Sequence, residues 1–409
     1  MTSQKHRLRL RGKIILVLMT MLLLLMIFLQ AHFLWLSGIF EEIGCAAFRI
    51  LVWATLPVRI LLIAIAPAHD HHYPLSHWIL LALLSPLVYW GLWEAYAWRE
   101  ARRRLRSLSS NAPGHPTHRR LISKNLEKII IILILGAFFL IGMYATVIEP
   151  ERLVIRNYDI PVKDLPESLD GLRIMLISDT HYGPYTSLHF IQRAIKRANQ
   201  LEPDIVMLGG DYVHRTPRSI KRGIGVLASL QSRFGSVAVI GNHEHWEGAD
   251  ECRAALKQVG IRLVENEHLF LTSSGVSDSY TTGDAICIAG VGDLWDGEVL
   301  IEDTLAGVSP AMPRLLLSHN PDVAEMIQRD ERVDLVISGH THGGQVWLPF
   351  SRKTFAPTAY GSKYVGGLCS GLWCPVIVSR GIGLAGLPVR FMVPPEICLI
   401  TLTRPKAVN

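Results

Sequence analysis

Hydrophobic residues follow two different patterns along this chain. In the first 150 residues they form long apolar stretches, and residues 14–36 contain no charged side chain. This stretch exceeds the roughly 20 residues that a helix needs to cross a bilayer. Residues 78–98 and 129–148 are similarly apolar and carry Trp or Tyr near their ends, as membrane-spanning segments do. The pattern predicts an α-helical transmembrane region over residues 1–150.

A fourth apolar stretch, residues 46–67, leaves the number of membrane crossings open. It carries Arg49, Pro57 and Arg59 within an otherwise apolar sequence. Such a stretch either crosses the membrane or lies in it as a re-entrant or interfacial segment. Three or four membrane segments are therefore expected.

Residues 151–409 show the shorter repeat of a layered α/β domain. Short apolar runs alternate there with amphipathic stretches such as residues 188–199 and 321–330, which are predicted to be helices. Alternation of this kind predicts an α/β domain with one core. Eight runs are predicted to be strands, namely residues 172–178, 204–208, 236–240, 285–291, 314–318, 334–338, 375–379 and 396–402.

The charge distribution indicates membrane attachment and argues against a nucleic-acid partner. The formal net charge is +6, but residues 1–13 carry five Lys or Arg, and residues 99–128 carry nine beside two acidic residues. The rest of the sequence is therefore net negative, and no nucleic-acid-binding surface is expected. Under the positive-inside rule both basic segments face the cytoplasm, which requires an even number of crossings between them.

This requirement predicts on which side of the inner (plasma) membrane the C-terminal domain lies. If residues 46–67 do not cross, the segment 129–148 delivers the domain to the extracytoplasmic side, and this is the arrangement we expect. If they do cross, the domain lies in the cytoplasm.

Cys369 and Cys374 are close enough in sequence to form a disulfide in an oxidising compartment, although buried thiols are the alternative.

Five of the predicted strands end in side chains that bind metals. Spacing by two on an extended segment points both side chains of a pair to one face, so such pairs can converge. Taken singly, each ending is typical of an ordinary turn or helix cap. Five endings along one α/β pattern indicate a site. In chain order the residues are Asp179 and His181, Asp211, Asn242 and His243, His319, and His340 and His342.

The ligand types restrict the metal to hard or borderline divalent ions. Carboxylate and amide oxygens combined with imidazoles, without thiolates, suit Mn, Fe or Zn, with Mg as a further possibility.

The glycines 381, 383 and 386 do not form a phosphate-binding loop. Such a loop lies between a strand and a helix, and these glycines lack that context, so a nucleotide-binding site is not expected there.

The ordered blocks resemble those of the calcineurin-like metallophosphoesterase family. They stand here as "DTH", "GDYV", "GNHE", "SHNPD" and "GHTH", and the resemblance covers roughly residues 170–403. The longer strings "SGHTHGGQ" and "VSRGIGLAGLPVRFMVPPEI" look like a membrane-anchored bacterial branch of that family. That branch is similar to a transmembrane phosphoesterase of animals and to enzymes that cleave UDP-2,3-diacylglucosamine.

The resemblance implies a fold, a cofactor and residue roles. The implied fold is a four-layer α/β/β/α sandwich with two mixed sheets in residues 151–409. The implied cofactor is a pair of divalent metal ions that activate a water molecule. By the family pattern Asp211 bridges the two ions, and His243 stabilises the transition state or protonates the leaving oxygen. The implied ligands are Asp179, His181 and His342 for one ion, and Asn242, His319 and His340 for the other.

The function expected from these features is hydrolysis of a phosphodiester or pyrophosphate bond by a membrane-anchored enzyme. A lipid-linked or envelope substrate fits attachment to the bilayer, and Trp246, Tyr182 and Tyr185 are candidate contacts for it. Three alternatives stay open: a UDP-2,3-diacylglucosamine pyrophosphatase, a phosphomonoesterase, and a non-catalytic membrane protein whose globular domain binds a partner.

Overall fold

A computed structural model describes residues 140–405 apart from 216, 281–282 and 350–355, together with Leu133 and Ala137. The predicted membrane segments 14–36, 46–67 and 78–98 lie outside the described residues, as does most of 129–148. Within the part of the chain that the structure describes, no helix is both long enough and apolar enough to span a bilayer. The compact unit described below begins at Ala145, and the predicted boundary at residues 150 and 151 stays a prediction.

Thirteen strands and five α-helices make up the described part of this unit. The strands are β1 (Val154–Pro161), β2 (Arg173–Ile177), β3 (Ile205–Leu208), β4 (Ser236–Ala238), β5 (Arg262–Leu263), β6 (Glu267–Thr272), β7 (Gly275–Ser277), β8 (Ile286–Gly290), β9 (Arg314–Leu317), β10 (Leu335–Ser338), β11 (Gly367–Ser370), β12 (Pro375–Val378) and β13 (Glu396–Thr403). The α-helices are α1 (Leu188–Asn199), α2 (Ile220–Gly225), α3 (Asn242–Glu247), α4 (Ala249–Gln258) and α5 (Ile301–Leu305). Short 3₁₀ turns span Glu149–Glu151, Glu167–Leu169, Pro217–Ser219, Val226–Ser229, Pro321–Glu325 and His342–Gly344, and a π-helical turn spans Tyr144–Ile148.

The strands form two mixed sheets. The first has the order β1-β13-β2-β3-β4-β5, and the second has the order β11-β12-β10-β9-β8-β6-β7. In the first sheet β2, β3, β4 and β5 run parallel, and β13 is antiparallel to β2. In the second sheet β8, β9, β10 and β12 run parallel. The parallel strands of each sheet therefore present their carboxyl ends at one edge.

Alternation of side chains along each strand divides the core into layers. Ile174 and Leu176 of β2 pack with Leu317 and other residues of the second sheet, whereas Met175 and Ile177 pack against α1, α2 and α4. A third cluster lies on the outer side of the second sheet and includes residues of α5. Since each hydrophobic layer separates two layers of backbone, the domain is an α/β/β/α sandwich, with a thin outer layer over the second sheet.

The predicted elements compare well with the observed ones, with one error. All eight predicted strands are present, and the helix predicted at 188–199 is α1. The helix predicted at 321–330 is wrong, because only Pro321–Glu325 forms a 3₁₀ turn. Asp322 explains the difference. Its carboxylate accepts hydrogen bonds from the backbone N–H of Ala359, at 2.7 Å, and from the Thr358 hydroxyl, which ties the turn to a distant loop.

Candidate metal centre

The five predicted strand ends meet at one place in the structure. β2, β3 and β4 are neighbours in the first sheet, and β9 and β10 are neighbours in the second. Ligand sites in open parallel sheets form at the carboxyl ends of the strands. Here the two facing sheets bring two such edges together, and all the polar side chains that follow these strands are buried or nearly so. They are Asp179, His181, Asp211, Asn242, His243, His319, His340 and His342.

A first group of ligand atoms converges from Asp179, His181, Asp211 and His342. The Nε2 atoms of His181 and His342 are 2.9 Å apart. Asp179 Oδ1 lies 3.4 Å from His342 Nε2 and 4.0 Å from His181 Nε2. Ligand atoms that each bind one ion at about 2.1 Å stand roughly 3 to 3.5 Å from one another, so this spacing suits a bound cation.

A second group converges from Asp211, His319 and His340, with Asn242 beside it. His319 Nε2 lies 3.1 Å from His340 Nδ1 and 3.2 Å from Asn242 Oδ1. The other ring nitrogen of His319, Nδ1, donates to the Gly209 carbonyl oxygen at 2.7 Å. This hydrogen bond leaves Nε2 of a neutral His319 with its lone pair directed toward the group.

One oxygen atom of Asp211 belongs to both groups. Its Oδ2 lies 3.4 Å from His181 Nε2 and 3.4 Å from His319 Nε2. The other oxygen, Oδ1, accepts a hydrogen bond from the backbone N–H of His243 at 3.0 Å, which fixes the carboxylate plane. The geometry therefore has the form that a carboxylate bridging two ions requires.

The pKa values of these residues favour the binding of a cation. Burial lowers the pKa of His181 and of His340 to about 3, so both imidazoles are neutral and carry free lone pairs. Burial also raises the pKa of Asp179 to about 7. At His319 burial would lower the pKa, but the negative charge of Asp211 outweighs it and holds the pKa well above its usual value. Divalent cations would supply this charge, and the donor set fits them.

The backbone at the candidate ligands is held in an unusual conformation. Non-glycine residues in the left-handed region cost on the order of 1–3 kcal/mol each and cluster at functional sites. The strained turns follow three of the strand ends, at Asp179 (φ 54°), His181 (φ 43°), Asp211 (φ 57°), His340 (φ 70°) and His342 (φ 52°). Such a concentration where the two sheet edges meet is typical of a site that the rest of the fold stabilises.

Comparison with known proteins identifies the family of this chain. The family model described as calcineurin-like phosphoesterase matches residues 172–344. The metallophosphoesterase YkuE of Bacillus subtilis is 32% identical over 262 residues, which are 63% of this chain and 88% of that protein. The chain belongs to the calcineurin-like phosphoesterase family. It is a metal-dependent phosphoester hydrolase.

Two further relatives carry informative names. Phosphodiesterase YaeI of Escherichia coli is 32% identical over 235 residues, which cover 56% of this chain and 82% of that protein. The zebrafish transmembrane protein with metallophosphoesterase domain is 31% identical over 292 residues, or 68% of this chain. The phosphoesterase spans 64% of the length of that zebrafish protein.

Glu244 organises the phosphoesterase site, although the sequence analysis gave it no role. Its carboxylate accepts backbone N–H groups of Asp211 at 2.7 Å, Tyr212 at 2.7 Å and Gly241 at 2.9 Å. It thereby joins the turn after β3 to the start of α3, the helix that carries Asn242. The signal for this residue was the last letter of "GNHE".

A chain of hydrogen bonds leads from Arg215 to His243. Arg215 Nε donates to His214 Nε2 at 3.0 Å, so the proton of a neutral His214 lies on Nδ1. That nitrogen is 3.3 Å from His243 Nδ1, which then accepts. Burial and the neighbouring His243 keep the pKa of His214 well below its usual value, consistent with a neutral ring. The chain therefore places the proton of a neutral His243 on Nε2.

Close packing explains two of the glycines in residues 379–386. A Cβ at Gly381 would lie 2.6 Å from Asp179 Cβ, and a Cβ at Gly383 would meet the Thr180 carbonyl oxygen. The fully buried Arg390 holds this segment in place, since its Nη2 donates to the carbonyl oxygens of Arg380 at 2.8 Å and Gly383 at 2.7 Å. Arg390 was also missed from sequence.

Of the three aromatic residues considered as substrate contacts, two are buried and one lies beside the site. Tyr185 is fully buried and Tyr182 is 5% exposed, so neither is a surface contact for substrate. Trp246 stands beside the site, with its ring centroid 4.6 Å from that of His243. Trp295, from the loop after β8, was missed. It is 49% exposed and lies edge-on to His340 at 4.4 Å.

Cys369 and Cys374 are free thiols, so the disulfide considered for them is not formed.

Proposed function

We propose that this phosphoesterase uses two divalent metal ions to hydrolyse a phosphodiester or pyrophosphate bond. The observation that carries the proposal is the position of Asp211 Oδ2, 3.4 Å from a histidine of each ligand group. The first ion would be held by Asp179, His181 and His342, and the second by Asn242, His319 and His340, with Asp211 shared. The donor set suits Mn, Fe or Zn, and Mg is possible.

The side chains divide the work between binding and proton transfer. Divalent ions held by these residues would lower the pKa of a bound water molecule and neutralise charge on the phosphoryl oxygens. The chain from Arg215 and His214 leaves the Nε2–H of a neutral His243 free to donate a hydrogen bond to the leaving oxygen, and the imidazolium form of the same ring could protonate it. Asp211 keeps its orientation through the His243 backbone N–H.

Metal content and turnover together test these roles. Asp211→Ala is expected to lose bound metal and turnover together, because both groups lose their shared oxygen. His243→Ala is expected to keep its metal and to lose turnover by a factor of about 100 to 10,000, as expected for loss of a general acid. Asp159→Ala, an exposed carboxylate on β1, is the control. Full metal content and normal rates in Asp211→Ala would refute the proposal.

A diester substrate is favoured over a monoester by one relative. Escherichia coli YaeI is named a phosphodiesterase, and this supports the same bond class here. A phosphomonoesterase is the alternative. Rates on bis(p-nitrophenyl) phosphate and p-nitrophenyl phosphate separate the two, and a faster monoester reaction would reverse the assignment. The assembled site and family membership argue against the non-catalytic binding protein.

We further propose an amphipathic, lipid-linked substrate and a membrane-anchored enzyme. Support comes from the apolar N-terminal sequence, from the name of the zebrafish relative, and from the exposed Trp295 beside His340. UDP-2,3-diacylglucosamine is one substrate of this kind, and its hydrolysis in micelles is the direct assay. No release of UMP from it would leave other lipid-linked diesters as substrates.

The side of the membrane is a separate proposal. An even number of crossings between the two basic segments puts the catalytic domain outside the inner membrane. Protease added to intact spheroplasts would then cleave the domain after residue 150. Protection of the domain until the membrane is permeabilised would instead place it in the cytoplasm and mean that residues 46–67 cross.

A further inference from the structure

Four large apolar side chains form an exposed surface beside the metal centre. Ile148 is 56% exposed, Trp347 40%, Leu348 51% and Met392 47%. These four residues are called the apolar shelf below. They come from three separate segments of the chain, so their exposure is a property of the fold and not of one loop.

Backbone hydrogen bonds place the three segments side by side. The N–H of Arg390 donates to the carbonyl oxygen of Ala145 at 2.9 Å, on one side of the segment 390–392. On its other side, the N–H of Trp347 donates to the carbonyl oxygen of Phe391 at 2.9 Å. The segment 390–392 is therefore hydrogen-bonded both to Ala145 and to Trp347, which places the three segments that carry the shelf next to one another.

The same segment touches the metal centre from behind the shelf. Arg390 points inward, and its Nη2 lies 3.5 Å from His342 Nδ1. Val393 packs so closely on Gly343 that a Cβ there would stand 2.7 Å from a Val393 methyl group. Met392 is exposed between these two buried residues. One short segment thus contacts the site on one face and presents apolar surface on the other.

We propose that the apolar shelf rests on the surface of a lipid bilayer. The argument is the place where the chain enters the domain. Residues 129–148 form a 20-residue sequence without charge, and they end at Ile148, which is itself part of the shelf. Ala145 and Thr146 are buried in the domain, so a bilayer that holds the residues before them would lie close to Trp347, Leu348 and Met392, side chains that insert favourably at the boundary of headgroups and acyl chains.

The inference rests on the membrane attachment proposed above and adds a contact surface to it. With the shelf on the bilayer, the segment behind His342 is held at the lipid surface, where amphipathic phosphoesters are presented. A second exposed apolar group, Leu368, Leu372 and Trp373 around β11 and β12, belongs to a different part of the sequence from the three segments of the shelf. It provides a control on the same molecule.

Fluorescence quenching by brominated phosphatidylcholine tests the contact in the full-length protein. Wild type, Trp347→Phe and Trp373→Phe are reconstituted in nanodiscs of plain or brominated lipid. The emission contributed by each residue is the difference between wild type and the variant. We expect the Trp347 contribution to fall at least two-fold in brominated lipid and the Trp373 contribution to stay the same. Both variants are conservative and keep a ring at the position, so folding is not at issue.

Three results would overturn the inference. Equal Trp347 emission in the two lipids would show that the shelf does not touch acyl chains. Equal quenching of Trp347 and Trp373 would show that contact is not specific to the shelf. Trp347 shielded from aqueous iodide in detergent, together with a dimer by light scattering, would identify a second copy as the occupant. Hydrolysis of bis(p-nitrophenyl) phosphate in the same nanodiscs reports on the proposed function separately.

Discussion

Asp179 keeps its position because Gly381 has no side chain. The two residues come from distant parts of the chain, and a Cβ at 381 would stand 2.6 Å from Asp179 Cβ. Gly381 also has a φ of +68°, where L side chains are strained. The position of the candidate metal ligand Asp179 thus depends on a residue that has no side chain.

Replacement of Gly381 by Ala is expected to reduce metal affinity at least ten-fold and to destabilise the fold by about 2–4 kcal/mol. The backbone strain alone accounts for about 1–2 kcal/mol, and displacement of Asp179 accounts for the rest. Isothermal titration with Mn²⁺ and thermal unfolding measure the two effects. Gly386→Ala is the matched control, since φ there is +61° and a Cβ would meet nothing within 4 Å. Equal losses in both variants would contradict the packing argument.

At the scale of elements, the short helix α3 is held to the turn after β3 by one side chain. Asn242 and His243 begin this six-residue helix, which is too short to be stable alone. Glu244 accepts N–H groups from both Gly241 and Asp211. The positions of Asn242 and Asp211 are therefore coupled through Glu244.

Glu244→Gln keeps the size of the side chain but places an NH₂ group against N–H donors. We expect the free energy of unfolding to fall by about 3 kcal/mol, since the NH₂ group leaves buried backbone N–H groups without an acceptor, at a cost of about 1–3 kcal/mol each. Burial raises the pKa of Glu244 to about 8, so this expectation does not depend on a charge on the carboxylate. Urea unfolding measures this change, and the exposed Glu302→Gln of α5 is the control, with a change under about 0.5 kcal/mol. A Glu244→Gln protein as stable as wild type would show that the amide forms the same bonds.

Several strands that were predicted from sequence are buried on both faces, whereas β1 and β5, which were not predicted, are not. The predicted strands β3, β9 and β10 are buried on both faces and read as continuous apolar runs. The strand β1 lies at a sheet edge with mostly exposed or half-buried residues, and β5 has two residues. Neither has a hydrophobic period that a sequence can reveal, and β6, β7 and β11 were missed as well.

The same distinction applies to the site. Asp179, His181 and His342 were found because each stands at a fixed short spacing after a buried strand. Trp295 and Arg390 occupy no such position, and only the tertiary packing brings them to His340 and His342. Side-chain chemistry at strand ends was thus predictable, whereas the contacts that surround it were not.

At the scale of the whole molecule, the first sheet depends on the last strand. β13 lies between β1 and β2, and Ile397, Cys398 and Ile400 are fully buried in the two core clusters on either face. Within the described residues, β1 pairs with no other strand. The first and last strands of the described domain are therefore paired with each other in one sheet.

Deletion of residues 396–409 is expected to abolish cooperative unfolding, because it removes the partner of both β1 and β2. Differential scanning calorimetry and near-ultraviolet circular dichroism measure this loss. Deletion of residues 406–409, beyond the last paired residue Thr403, is the control and should unfold as wild type does. A sharp calorimetric transition in the longer deletion would show that β1 and β2 close without β13.

The position of β13 also sets the order of events during synthesis. A strand can pair only after it has been synthesised. Here β2, β3 and β4 are made well before β13, so the gap between β1 and β2 stays open until β13 is available. Completion of the first sheet, and with it the support of Asp179 by the segment before β13, must therefore follow synthesis of β13. A nascent phosphoesterase is expected to stay inactive until that strand has paired.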